Sequence, residues 1–279
     1  MKKISLLFLA VLFITVQGCK KDDSTDPQDN TGGNNNPPVE EIKREQKTVG
    51  FYFSGNWCGP CGAYGKPMLK NMTAKYPDNF LVISSQLNGS GPDPMNCAAA
   101  NELAGIFAAN SVPTLFTGGG AALIAKVGGG TGMEAGADNN IAAVLGREAI
   151  ANSKVTATIN GTELTVATKT KFFVEQAEQY RIAVYVLEDG LAFPQYSSAT
   201  GKWDYDHIHY NIIRSALTEV AGDNLIKGAT ANQEVEMSFT GTLESKWKTD
   251  KLKVTVVLWR VNADGKITIV NGTSAKVTQ

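Results

Sequence analysis

Gly55-Asn56-Trp57-Cys58-Gly59-Pro60-Cys61 is the stretch on which the reading of this chain turns. Just upstream, residues 48–54 (TVGFYFS) are rich in aromatic and β-branched side chains and read as a short buried strand. Downstream, a helical stretch runs to about residue 75. A Cys-x-x-Cys pair at a helix start lets both sulfurs meet in one disulfide. It also sets Cys58 among unpaired backbone N–H groups, where the helix dipole favours a thiolate. Only the thiolate attacks a disulfide. The arrangement therefore points to Cys58 as attacking nucleophile and Cys61 as resolving thiol. A zinc site needs two further ligands, and no second Cys-x-x-Cys exists. A purely structural disulfide stays open beside the redox reading, because disulfides are common in oxidising compartments.

Working outward, residues 80–85 read as a second strand, followed by a turn-rich segment at 88–92. Asp93 and Pro94 suit the N-cap and first position of a helix reaching residue 109. Ser111-Val112-Pro113-Thr114 leads into a strand at 115–117, and three glycines join it to another at 122–127. Asp138 is expected to cap a last helix with Ile141, Val144, Leu145 and Ala149 on one face. This order predicts an α/β layered domain over residues 47–152.

Trp-Cys-Gly-Pro-Cys followed downstream by Val112-Pro113-Thr114 resembles thioredoxin. The resemblance implies a cis Pro113 lying against the disulfide as the substrate-positioning element. It also implies a substrate-binding surface made of Trp57, Gly59, Pro60, Val112 and Thr114. Three positions depart from that family: Tyr52 replaces a buried Asp, Gly62 replaces a basic residue, and the helix proline is displaced to Pro67. These departures count against efficient reductase turnover and leave disulfide exchange itself open.

The N-terminus gives an address. Lys2 and Lys3 precede an apolar run from residue 4 to 16, too short to span a bilayer, which reads as a secretory signal over residues 1–18. Val16-Gln17-Gly18-Cys19 resembles the lipobox of bacterial lipoproteins, implying lipidation of Cys19 and a membrane anchor. Lys21-Asp22-Asp23 resembles the export tag of Gram-negative surface lipoproteins, with a solvated charge run as the alternative. Residues 19–46 are rich in Asp, Asn, Gly and Pro and read as a lipidated N-terminus and flexible tether.

Beyond about residue 152 the helical signals fade. Alternating stretches flank Asn160-Gly161, a strong hairpin signal, and recur at 181–187, 234–239, 251–259 and 266–270. They predict an all-β sandwich over residues 153–279. Residues 186–190 (VLEDG), Pro194-Gln195, His207-Ile208-His209 and Arg214 resemble the immunoglobulin-like β domain of a family of Gram-negative outer-membrane lipoproteins.

The chain carries 26 Lys and Arg against 27 Asp and Glu, so nothing calls for a nucleic-acid partner. With two histidines in the chain, His207 and His209 read as hydrogen-bonded side chains rather than metal ligands. Residues 128–132 (GGGTG) lack the pattern of a phosphate loop, and no cofactor or metal is expected. Cys97 remains, either as a small apolar residue or as a third thiol. The functional expectation is an envelope-tethered thiol-disulfide oxidoreductase acting on protein thiols and disulfides. The alternative is a non-catalytic surface binding or adhesion lipoprotein retaining a structural disulfide.

Overall fold

Seven consecutive buried side chains make residues 48–54 a strand covered on both faces. In the computed structural model, which describes residues 41–120 and 124–279, this strand is β1 (Thr48–Ser54). A single π-helical turn (Cys61–Gly65) then runs into α1 (Lys66–Lys75). After it come β2 (Phe80–Gln86), α2 (Ala98–Ile106), β3 (Thr114–Gly118), β4 (Ala125–Gly128) and α3 (Met133–Leu145). β1 runs parallel to β2, pairing Thr48 with Phe80, and antiparallel to β3, pairing Phe51 with Phe116.

The second half begins with the hairpin of β5 (Ala151–Asn160) and β6 (Glu163–Phe172), turned at Gly161 with φ +63°. β7 (Gln176–Glu188) follows. Four short strands then make an excursion from the sheet: β8 (Leu191–Ala192), β9 (Gln195–Ser197), β10 (Lys202–Asp204) and β11 (Ile208–His209). The chain returns through β12 (Ile212–Ala216), β13 (Asp223–Ala229), β14 (Glu234–Thr242), β15 (Leu252–Val261) and β16 (Ile267–Thr278).

These strands overturn the expectation of an α/β thioredoxin-like domain followed by a separate immunoglobulin-like sandwich. One mixed sheet runs through both halves in the order β14-β6-β5-β16-β15-β7-β12-β2-β1-β3-β4, with β13 also paired to β7. The join is β12, where Ile212 pairs in parallel with Ser84 of β2 and antiparallel with Glu188 of β7.

The physical reason lies in β7. A sandwich strand buries alternate residues, but residues 182–188 of β7 are all buried. Ile182, Val184 and Val186 face one core, shared with Val254, Val256 and Leu258 of β15. Ala183, Tyr185 and Leu187 face a second core, together with Phe51, Phe53, Val257 and Trp259. In that second core Phe51 packs 5.8 Å from Tyr185 and 5.4 Å from Trp259, ring centre to ring centre. Alternation read on one face had missed that the other face is apolar too.

Two helix starts also differ from expectation. α2 begins at Ala98 with Cys97 in the N-cap position, because Asp93 is engaged elsewhere. Asp138 lies within α3 rather than capping it, and its carboxylate instead accepts from Lys75 Nζ and Tyr76 Oη. The lipobox, Cys19, the charge run and residues 19–40 of the tether lie outside the described residues.

Candidate functional site

The turn after β1 brings Cys58 and Cys61 together, their Cα atoms 5.2 Å apart and their sulfurs bonded. Cys58 is 3% exposed and Cys61 is fully buried. The backbone N–H of Cys61 points to Cys58 Sγ at 3.1 Å. The Val112–Pro113 peptide is cis, and Val112 O lies 3.7 Å from Cys58 Sγ. Thr114 Oγ1 donates to Ser111 O, bracing that loop. The half-exposed Trp57 indole donates to Leu87 O at 2.9 Å. A cleft of about 530 Å³ passes along Trp57, Cys58, Gly59, Pro60, Ser111 and Val112. Of the residues picked from the sequence, Trp57, Cys58, Gly59, Pro60 and Val112 line this cleft, Cys61, Pro113 and Thr114 adjoin it in the chain, and Cys19 lies outside the described residues.

What the sequence did not disclose is the cover on this place. β9, from the second half of the chain, lies across the helix start as a strap. Tyr196 N donates to Asn56 O at 2.8 Å, and Ser198 N donates to Gly59 O at 3.0 Å. The side-chain amide of Gln195, 2% exposed, sits within 3.0 to 3.2 Å of the carbonyls of Gly55, Asn56, Cys58 and Tyr196. From another direction Asp93 accepts from Asn56 N at 2.8 Å and from Met95 N at 2.9 Å. Burial raises its carboxyl pKa, and those two N–H groups oppose the rise.

The strap explains one of the departures in sequence, and a matched glycine explains a second. A Cβ on Gly62 would lie 2.3 Å from Tyr196 O, so the close backbone approach requires glycine there. At Gly65 a Cβ would lie 2.0 Å from Tyr52 Oη, so the large side chain at position 52 is matched by its absence at 65. Burial holds the Tyr52 phenol well above its ordinary pKa. It therefore stays neutral and offers no carboxylate-like base behind the disulfide. Pro67 lies inside a helix that is continuous over residues 59–75, directly after the π-helical turn Cys61–Gly65, the local irregularity that goes with its missing N–H.

Beside the strap, Lys66 Nζ lies 3.0 Å from His209 Nδ1, and His209 Nε2 lies 3.0 Å from Phe193 O. The carbonyl fixes the proton on Nε2, so Nδ1 accepts from the ammonium. Burial lowers Lys66 to about 8, partly offset by Asp93. Burial, Lys66 and His207 together lower His209 to about 3. His207 stacks edge-on at 4.7 Å and pairs with Asp204 at 3.2 Å. Among the described residues no three His, Cys, Asp or Glu side chains gather to hold a metal.

Cys97 packs against the second core, with Sγ 3.3 Å from Ile213 O, and burial raises its thiol pKa. It sits there as a small apolar side chain. Sequence reasoning missed Asp93, Lys66 and Ser198 in this neighbourhood. Gln195 entered it only through a family resemblance. Asp93 carried only a helix-cap signal, and no local pattern marks the others, because their partners are distant in the chain.

A model of the family described as outer membrane protein Omp28 matches residues 127–279. The fold is similar to that of HBP35 of Porphyromonas gingivalis, with a TM-score of 0.62 and 14% identity over 85% of this chain and 77% of that one. Spo0M, the sporulation control protein of Bacillus subtilis, aligns at a TM-score of 0.30 with 13% identity, over 47% of this chain and 49% of that one, too weak a likeness to argue from. A comparison with curated proteins finds no match. Neither the family match nor the fold likeness assigns a redox activity.

Proposed function

The chain belongs to the Omp28 family of outer-membrane proteins, and from that premise we propose that it is a non-catalytic binding lipoprotein whose Cys58–Cys61 disulfide is structural. The observation carrying this reading is the strap. Residues 195–198 occupy the carbonyls of Asn56 and Gly59 and cover Gly62, while both sulfurs are buried. A redox centre works by presenting its nucleophilic sulfur to a partner chain, whereas here the chain's own backbone takes the adjacent hydrogen-bonding positions. The neutral Tyr52 in place of an acid supports the same reading. Anchoring through lipidated Cys19, the tether, and surface display through Lys21-Asp22-Asp23 belong to this proposal. The disulfide's task is to hold the turn on which the strap and Trp57 rest.

A second reading, thiol-disulfide exchange with envelope proteins through Cys58, is favoured by one observation: the cleft along Trp57, Cys58 and Val112 is open to solvent.

Assaying the purified mature chain for catalysed reduction of insulin by dithiothreitol separates the two. A rate no higher than without the protein, with nothing captured from an envelope extract by a Cys61→Ser variant, is the expected result. Mixed disulfides on Cys58 would establish the exchange reading instead. Fractionation of a Cys19→Ser variant tests the anchor, with loss from the membrane pellet expected.

A further inference from the structure

Between α1 and the excursion that carries the strap lies a second cavity of about 810 Å³, within the size range of small-molecule sites. Lys66, Pro67, Leu69 and Lys70 form one wall, and residues 207–211 form the other. The charges in this wall do not balance. Asp189 is taken by Lys253 Nζ at 2.7 Å and by Asn211 N at 2.6 Å. Asp204 is taken by His207 and by Asp206 N, both at 3.2 Å. The Lys66 ammonium has no carboxylate within ion-pair distance among the described residues; its hydrogen-bond partner is a neutral imidazole. Lys70 adds a second cation without a described ion pair.

We propose that this cavity binds a small organic carboxylate, with Lys66 taking the charge and Pro67, Leu69, Ile208 and Tyr210 covering an apolar body. The inference goes beyond the reading above and does not depend on it. A partly buried ammonium is costly until an opposite charge joins it; Asp93 acts on Lys66 only from beyond ion-pair distance, and His209 cannot be that charge. Its Nε2 hydrogen is committed to Phe193 O, so its Nδ1 has only a lone pair to offer. The lining's three cations, Lys66, Lys70 and Lys253, against its two carboxylates, Asp189 and Asp204, leave one positive charge, which a monoanion matches. A phosphate dianion would bring a second charge toward Asp189 and Asp204, and a cationic ligand would meet Lys66 and Lys70. At the mouth, Tyr210 is 58% exposed and Ile208 39%, large apolar surfaces in a position to close over a ligand.

Four groups face Lys66 from the packed elements: His209 and His207 on the excursion, Tyr52 of β1 with its ring centre at 5.9 Å, and the Asp93 carboxyl from the loop before α2. Deprotonating Lys66 takes the lining, with Lys70 and Lys253 against Asp189 and Asp204, from one net positive charge to none. Carboxylate binding should therefore weaken as pH rises through the Lys66 pKa of about 8.

Titration calorimetry on the mature chain tests this with 3-phenylpropionate, its neutral amide 3-phenylpropionamide, and inorganic phosphate. The carboxylate is expected to bind at least about tenfold more tightly than the amide or phosphate, a difference of about 1.4 kcal/mol. Lys66→Met should abolish that preference and Lys66→Arg should retain it. Tyr210→Ala should weaken the carboxylate several-fold. Affinity of the unaltered chain should fall between about pH 7 and about pH 9.5. Should Lys66→Met fail to fold, the exposed Tyr210→Ala and the pH series decide. Absence of saturable binding, equal affinity for acid and amide, tighter binding of phosphate, or pH-independent binding would each overturn the proposal. None of these results bears on whether Cys58 exchanges disulfides.

Discussion

Gln195 shows how much of this site rests on one buried side chain. Its amide group serves carbonyls of the disulfide turn and of the strap at once. Truncation to Ala strips those buried acceptors of their donor, a loss of about 1 to 3 kcal/mol. Gln195→Ala should therefore lower the urea midpoint of the mature chain and speed reduction of Cys58–Cys61 by dithiothreitol. An unchanged midpoint would remove Gln195 from this account.

His209 makes a second residue-scale prediction, with the sign set by its depressed pKa. Folded, it titrates near 3; unfolded, near 6.5 as a free imidazole, so between those values the unfolded chain binds the extra proton. Its contribution is complete above about pH 6.5 and is lost as pH falls toward 3, at up to about 1.4 kcal/mol per pH unit. His207, also lowered by burial, acts in the same direction. Other carboxylates titrate in this window as well. The check is therefore the difference between the wild type and His209→Gln, whose urea stability should fall less steeply from pH 7 to pH 4 (about three units).

At the scale of elements, the strap works because Gly59 and Gly62 let its backbone come close to the disulfide turn. Gly62→Ala would place a methyl group where Tyr196 O now sits. The strap must then lift, losing the Tyr196–Asn56 and Ser198–Gly59 hydrogen bonds. A destabilisation of about 1 to 3 kcal/mol is expected, as for other overpacked sites, together with faster alkylation of the cysteines after mild reduction. Alkylation no faster than wild type would mean the strap does not shield the sulfurs. β1, β2 and the β5–β6 hairpin were legible from residue type and a turn signal, because each is specified within about ten residues of itself. β8 to β11 were not legible: they are two or three residues long, β8 pairs with β11 and β10 with β9, and β9 takes its place from the disulfide turn it covers.

At the scale of the molecule, β7 and β15 form a wall between two cores, and the second core is built from both halves of the chain. Cutting near residue 152 would uncover Phe51 and Phe53 on one fragment and Tyr185, Leu187 and Trp259 on the other. Each is a large apolar side chain worth about 1.5 to 3 kcal/mol when buried. The mature chain is therefore expected to unfold in one cooperative transition followed by circular dichroism, and fragments 45–152 and 153–279 to lack cooperative unfolding when expressed alone. Two independent transitions, or two folded fragments, would establish a working boundary near residue 152.

The sequence by itself determined what depends on neighbours along the chain. Cys58 and Cys61 are close enough to bond whatever surrounds them, Thr48–Ser54 is apolar enough to demand burial, and Asn160-Gly161 turns a hairpin. The apolar run ending before Cys19 pointed to the envelope, in agreement with the family match. Tertiary structure alone decided that the second face of β7 would meet β1, that β9 would cross the disulfide turn, and that Lys66 would face His209. Those outcomes join residues more than 100 positions apart. Periodicity says that a face is apolar but not which distant surface will cover it.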